Sequence, residues 1–339
     1  MLRLLTGLAV LLVLVAGLWL GGETLAARRA AEAVARSPLV EAAAVTPLRR
    51  LTGFGLRLDA PVLRGPVAAI SLPWAELSAA PTAPFTARLA LPEEGQLQLP
   101  GATVAIAAAA PVASLTIAPM RDMAVDAAQL SLDALRLDGV EAAGPVRLDA
   151  QLRRLGHDAP LAARAGYDVS ISAEQLAVEL LALLGLNATA LPGPVSANGA
   201  ARLWFDAAPR LQEGAPAPRA LGFQTAGLDL ASGDLAVRVV GRLAADEAGL
   251  AEGRLGVFTR DADAIIGQLV ALEVIPGGAA LLLRAGLGQI GRAEFPEGTY
   301  AGPAIPAAGT DELRLPLSFA DGQMSLGTFP LGPAPRLLR

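Results

Sequence analysis

Apolar and polar residues alternate with a period of two over much of this chain. Phe54-Gly55-Leu56-Arg57-Leu58-Asp59 sets Phe54, Leu56 and Leu58 against Arg57 and Asp59, the pattern of a strand with one dry and one wet face. The same period returns at Thr86–Leu91, Gln96–Leu99, Thr103–Ala107, Ser114–Ile117, Gln129–Leu137 and Val146–Leu152, and again at Tyr167–Ser172, Ala201–Phe205, Leu228–Leu243, Leu313–Phe319 and Gln323–Leu326. Gly, Pro and Asp-Gly breaks separate these runs, which predicts antiparallel meanders. Asp138-Gly139, Asn198-Gly199 and Asp321-Gly322 supply the positive φ that tight hairpins need.

Three stretches carry a helical pattern instead. Ala173–Leu186 follows Ser172, a candidate N-cap with Gln175 three places on, as in a capping box. Asp261–Ile275 opens on two acids suited to the positive end of a helix and stops before Pro276. Ala279–Ile290 is nearly all apolar and calls for burial.

At the N-terminus, Leu4–Leu20 holds 17 residues without a formal charge, with Trp19 where an interfacial aromatic belongs. Two readings stay open: a retained membrane anchor, or a signal peptide cleaved after Thr24-Leu25-Ala26. The Ala-rich, helix-favouring Thr24–Arg36 supports the anchor. The predicted fold is therefore mainly β with α+β character: an N-terminal transmembrane helix, then curved antiparallel β-meander sheets with two or three packing helices. In segments, 1–23 is the anchor or uncleaved signal, 24–46 a helical stalk, 47–156 a β-rich part, and 157–339 a second β-rich part with helices near 173–186, 261–275 and 279–290. The turn-like Gly156–Pro160 marks the boundary.

Composition narrows function by exclusion. Hydrophobic residues make up 53% and charged residues 17% of 339, which excludes a disordered chain. All 27 basic residues are Arg, outnumbered by 32 acids for a net charge of -5, so no cationic surplus exists for a nucleic acid. The absence of Cys excludes disulfides, thiolate metal sites, Cys nucleophiles and lipoprotein acylation. A single His, His157, excludes a multi-His metal centre within one chain.

Five motifs invite chemistry, and each has a plainer structural reading. Gly286-Leu287-Gly288-Gln289-Ile290-Gly291 spells a dinucleotide fingerprint with Asp311 and Glu312 downstream, but a helix-like segment precedes it and Pro296 stops any helix after it. It reads as a glycine-rich helix exit, not a nucleotide site. His157-Asp158 would need a distant Ser to make a hydrolase, and the chain has no Gly-x-Ser-x-Gly elbow; His157 reads as an exposed turn residue. Asp261 and Asp263 would suit Mg²⁺ or Ca²⁺, yet helix capping explains them. Glu93-Glu94-Gly95 reads as a solvated hairpin tip, and Asn187-Ala188-Thr189 is a formal glycosylation sequon. The expectation is thus no catalytic, cofactor or metal residues, no cofactor, and no enzyme. What remains is a set of strands carrying Leu, Val and Ala on one face. That face either closes into an ordinary core or stays open as a groove for an acyl chain.

The membrane segment, the Arg-punctuated helix and Thr52-Gly53-Phe54-Gly55-Leu56-Arg57-Leu58-Asp59, with Ala60-Pro61 and Trp74 following, resemble the alphaproteobacterial envelope family called domain of unknown function 2125. Ala90-Leu91-Pro92, Leu99-Pro100-Gly101, Leu315–Gly327 and the closing Pro330-Leu331-Gly332-Pro333-Ala334-Pro335 are similar to that family as well. The chain departs from it at Gly55, where the family usually has Pro. A fainter likeness, in strand style and in the final Asp-Gly hairpin, links it to AsmA-like envelope proteins. The first resemblance implies an inner-membrane location with the bulk of the chain in the periplasm. The second implies phospholipid contact. The expected partners are membrane lipid or envelope proteins, with an envelope scaffolding or interaction module of closed core as the alternative function and a hydrolase as a remote one.

Overall fold

A computed structural model describes residues 24–25, 27–32, 34–37, 40–50, 53–64, 68–183, 191–210, 218–271, 278, 281, 284–285, 295, 300–327 and 329–337. The protein is mainly β, and its chain divides into two compact units: Met1–Ile117 with Leu130–Glu141, and Ala118–Gln129 with Ala142–Arg339. The turn around Gly156–Pro160 lies inside the second unit. Residues 24–25, 27–32 and 34–36 are helical. From Val40 on the expected stalk is strand.

In the first unit, strands β1 (Val40–Glu41), β2 (Ala44–Pro47), β3 (Phe54–Asp59), β4 (Val62–Arg64), β5 (Ala69–Ser71), β6 (Trp74–Ala80), β7 (Ala83–Ala90), β8 (Glu94–Leu99), β9 (Ala102–Ala109) and β10 (Val112–Ala118) alternate between two antiparallel ladders. One runs β2-β3-β6-β7-β10; the other runs β1-β4-β5-β8-β9 and is continued by β12 (Ala134–Leu137). The chain changes ladder at Ala60-Pro61, Leu72-Pro73, Leu91-Pro92 and Ala110-Pro111. Proline favours a corner at each of these points, because it has no N–H to donate to a ladder. Ala60 and Ala110 turn these corners at φ +47°. Hydrogen bonds knit the corners together, Ala60 N–H donating to Pro73 O (3.0 Å) and Leu72 N–H to Pro61 O (3.0 Å).

The second unit takes residues 124–129 of β11 (Ala124–Leu132) and a nine-stranded antiparallel meander in sequence order: β14 (Val146–Arg153), β15 (Ala165–Leu176), β16 (Val195–Phe205), β17 (Ala220–Ser232), β18 (Leu235–Ala245), β19 (Ala251–Thr259), β20 (Leu313–Ala320), β21 (Gln323–Leu326) and β22 (Phe329–Pro333). The turn Asp138-Gly139 (φ +49° and +80°) leads into β13 (Val140–Ala143). Helices α1 (Val178–Leu183) and α2 (Ala262–Ala271) interrupt the run. The α2 helix starts where Asp261 Oδ1 accepts from Ala264 N–H (2.9 Å), a side-chain N-cap. Its Ala262, Ile265 and Ile266, spaced at i, i+3 and i+4, pack with Leu243, Leu255, Leu315, Phe319, Met324, Leu326 and Leu331 into a closed core.

Several expected elements differ in the structure. Ala173–Leu176 belongs to β15, with a register shift between Ala173 and Leu176 where Gln175 takes φ +51° and its N–H donates to Ser196 Oγ, so Ser172 is no helix cap: it sits opposite Asn198 in a ladder. Cross-strand pairing overrode the local capping signal. Gln129–Leu137 is two strands parted at Asp133, and Leu228–Leu243 is the β17–β18 hairpin turning at Gly233-Asp234. Asn198-Gly199 is not a turn but lies within β16, where Gly199 (φ +151°) faces Ile171 and Leu228. The Asp138-Gly139 and Asp321-Gly322 turns and the 261–271 helix stand as expected. Of 279–290, residues 281 and 284–285 are helical; the rest, like 184–186 and 272–275, lies outside the described residues. So does the expected anchor at 1–23. Among the described residues no helix is long and apolar enough to cross a membrane.

Candidate functional site

Directly opposed residues of an antiparallel pair share a face, so the register assigns every side chain of the first unit to one of two faces. Across β1, β4, β5, β8 and β9 runs a continuous apolar row, Val40–Leu63–Ile70–Leu97–Val104, with Ile106 opposite Leu137 beside it. The other ladder carries Pro47–Leu56–Leu77–Leu89–Ala113 across β2, β3, β6, β7 and β10. The reverse faces are polar. On one, Arg64 pairs with Glu41 (2.9 Å) and Gln98 donates to Ser71 Oγ (2.8 Å). On the other, Glu76 receives both Arg50 (2.6 Å) and Arg57 (3.2 Å), Arg57 also holds Asp59 (3.0 Å), and its guanidinium lies over the Trp74 ring (5.5 Å). The Arg64 hydrogen bond, then its charge, lowers the Glu41 carboxyl below its ordinary range.

Burial separates the two units. In the second, Leu315, Leu326, Phe258 and Ile266 are sealed. In the first, Ala27, Ala75 and Leu97 are the buried apolar side chains other than proline among the described residues, whereas Leu63, Ile70 and Leu77 keep 36–39% of their surface exposed. These apolar rows are therefore only partly covered: Leu63, Ile70 and Leu77 stay exposed, while Leu97 is buried.

The polar face of the second unit holds a cavity of about 640 Å³. Register places Ser172, Asn198, Asp229, Arg238 and Phe258 in one row across its floor. Arg238 donates to Glu312 (2.9 Å) and lies over the Phe258 ring (4.7 Å), which commits that cation to structure. Further along the same face, Arg202 grips Asp168 through two hydrogen bonds (2.7 and 3.2 Å). That contact holds the Asp168 carboxyl below its ordinary range, with the charges of Arg202 and Arg153 adding and burial opposing. Tyr167 donates to Val125 O (2.6 Å), and burial, aided by the Asp126 charge, pushes its phenol up to about 12.

The sequence motifs fall into structural roles. His157 is exposed in a turn; its neighbour Asp158 accepts from Gln224 (2.6 Å) and faces Arg202 (4.0 Å). Asp261 caps α2 and Asp263 pairs with Arg284 (2.6 Å), so the two acids serve different partners. Among the described residues, no group of three or more His, Asp or Glu is placed to hold a metal ion. Glu93 and Glu94 are exposed, but at the corner between β7 and β8, where Glu93 O accepts from Ala108 N–H (2.6 Å), and not at a hairpin tip. The reason is Pro92, which ends one ladder so that Glu94 can open the other. Gly286–Gly291 and Asn187–Thr189 lie outside the described residues. Sequence reading missed the division into an open and a closed unit. The recurrent X-Pro breaks at 60–61, 72–73, 91–92 and 110–111 were the available signal.

No curated protein and no solved structure matches the chain, and no comparison shows the likeness to AsmA-like proteins. The family model described as "uncharacterized protein conserved in bacteria" (DUF2125) matches residues 19–335. The chain belongs to that family.

Proposed function

We propose that this is a non-enzymatic, membrane-anchored protein of the bacterial periplasm, held in the inner membrane by 1–23, that contacts lipid through the apolar faces of its first unit. One observation carries the reading: two five-strand apolar rows whose Leu and Ile side chains stay more than one-third exposed at Leu63, Ile70 and Leu77. Such a surface is costly in water and suits acyl chains, each buried CH₂ contributing roughly 0.8 kcal/mol. Polar pairs tile the reverse faces, so the apolar side is the one that seeks cover. The segment Leu4–Leu20 supports the anchor by length and hydrophobicity.

The test is photocrosslinking of the full chain in membranes with a diazirine-bearing phospholipid, followed by peptide mapping. The expected adducts fall on the apolar row from Leu63 to Val104. Adducts confined to 1–23 would refute lipid contact through the strands. The scaffolding alternative draws on the closed core of the second unit. It predicts protein crosslinks from that unit and no lipid adducts on the first.

A further inference from the structure

One end of the second unit gathers charge of the sign the chain as a whole lacks. A cavity of about 620 Å³ is lined by Arg121, Arg153, Arg154, Arg164 and Arg210 against Asp122 and Asp206. That is an excess of three positive charges in a protein of net charge -5. The excess is two when the flanking partners Asp126, Asp168 and Arg219 are counted. The pairs are loose or solvent-exposed: Arg121 to Asp126 at 3.9 Å and Arg210 to Asp122 at 3.5 Å, with Asp122 79% exposed. Among the described residues, Arg164 donates to the carbonyls of Leu161 and Ala163 (3.2 Å each), and neither Arg164 nor Arg154 has a carboxylate partner.

The apolar residues beside these arginines are exposed rather than tucked away. Met120, next to Arg121 in the turn Pro119–Arg121, is 98% exposed, and Leu161, whose carbonyl Arg164 holds, is 95% exposed. Met123 and Leu155 are 41% and 40% exposed in the same cluster. Guanidinium groups bind phosphate oxygens bidentately, and apolar tips beside them match the boundary where headgroups give way to acyl chains. A nucleic acid or a phosphorylated peptide would satisfy the arginines and strand the Met and Leu tips in water.

We propose that this end of the second unit docks onto the surface of a bilayer containing anionic phospholipid, the arginines pairing with headgroup phosphates and Met120 and Leu161 entering the interface. The surface stands on its own observations and does not depend on lipid binding by the first unit. Because the chain has no Cys, Met120→Cys gives a single labelling site for a polarity-sensitive fluorophore on the full-length protein. The labelled protein is mixed with vesicles of phosphatidylcholine alone or with one-third phosphatidylglycerol, at low and at high salt. The expected result is a blue shift only in the anionic vesicles, weakened at high salt. Arg154→Gln with Arg164→Gln should lower the docking equilibrium constant, read from the blue-shifted fraction of the label, about thirtyfold, from about 1 kcal/mol per Arg at an anionic surface. The same fluorophore on Asp321→Cys, in the β20–β21 turn, should not respond. An equal shift in neutral vesicles, or one indifferent to salt, overturns the proposal. So does a shift with inorganic phosphate or a phosphopeptide alone, which assigns the arginines to a soluble anion. The salt arm needs no charge variant, so the test stands even where the double substitution impairs folding.

Discussion

Trp204 offers a test of how the second unit is held together. Its side chain is fully buried with Ala163 and Leu221, it faces Gly166 and Gly222 across the ladder, and the Arg242 guanidinium lies over its ring at 5.2 Å. Its indole N–H has no acceptor among the described residues. The ring and the N–H therefore act in opposite directions. Trp204→Ala removes a buried aromatic, a loss of about 3–5 kcal/mol, and a desolvated cation–π contact of up to about 2 kcal/mol. Loss of the unpartnered donor returns about 1–3 kcal/mol, leaving a net destabilisation of roughly 3–4 kcal/mol. Trp204→Phe keeps a ring beneath Arg242 and also removes the donor, so it should lie within about 1 kcal/mol of the parent. Amide hydrogen exchange of β16 and β17 in the full chain reads both values as local opening free energies. In the Arg242→Met background the cost of Trp204→Ala should fall by the cation–π contribution. A Phe variant as damaged as the Ala variant would show that the indole N–H is bonded and refute the reasoning.

Other expectations follow from single contacts. Gly241 (φ +142°) faces Leu255, and a Cβ there would meet the Arg254 carbonyl oxygen; Gly241→Ala should cost about 2–4 kcal/mol from strain and overpacking, read from the urea midpoint. Burial raises the Tyr167 phenol to about 12, so the unfolded chain ionises first. Stability is full below about pH 10 and declines as pH climbs toward 12. The ceiling on this loss is about 2.7 kcal/mol, and solvent screening brings it to roughly 1–2 kcal/mol. Burial raises the Tyr300 phenol as well, so Tyr167→Phe should shrink the alkaline limb in pH-dependent unfolding by the Tyr167 share and leave that of Tyr300. Asp261→Ala removes the α2 cap and should destabilise by about 1 kcal/mol, measured by exchange in α2. Ala110→Gly relieves a left-handed Ala (φ +47°) and should stabilise the first unit by up to about 1 kcal/mol, read as a small rise in its melting temperature.

How legible this fold was depends on which interactions decide each element. Period-two alternation marked strands such as β3, β14, β20 and β21 correctly, because burying one face of a strand is a local requirement that the sequence must display. The α2 helix was legible for the same reason, its cap and its apolar spacing lying within a dozen residues. Ala173–Leu176 misled because its helical composition yielded to ladder bonds with Ser196 and its neighbours, partners about twenty residues away. Asn198-Gly199 looked like a turn since Gly permits positive φ, yet Gly199 lies within β16, where a Cβ would meet the Gly227 carbonyl oxygen of the next strand. The corner at Pro92 was taken for a hairpin because Glu93 and Glu94 are polar in either setting. Whether an apolar face closes is a property of the whole unit. Alternation supplies the face at Leu63, Ile70 and Leu97, while its covering depends on distant elements that no local pattern encodes. The arginines around the Met120 turn were equally hidden, since Arg121, Arg154, Arg164 and Arg210 converge only in three dimensions.

Native mass spectrometry of the full chain, extracted in a mild detergent and compared with its Ile70→Asp variant, tests lipid contact most directly. Ile70 is the centre of the Val40–Val104 row and keeps 36% of its surface exposed, and a carboxylate there makes that face hostile to an acyl chain. The account predicts phospholipid-sized mass additions on the parent protein and their loss from the variant, with far-UV circular dichroism unchanged. A parent free of lipid, or a variant that carries as much lipid as the parent, would contradict it.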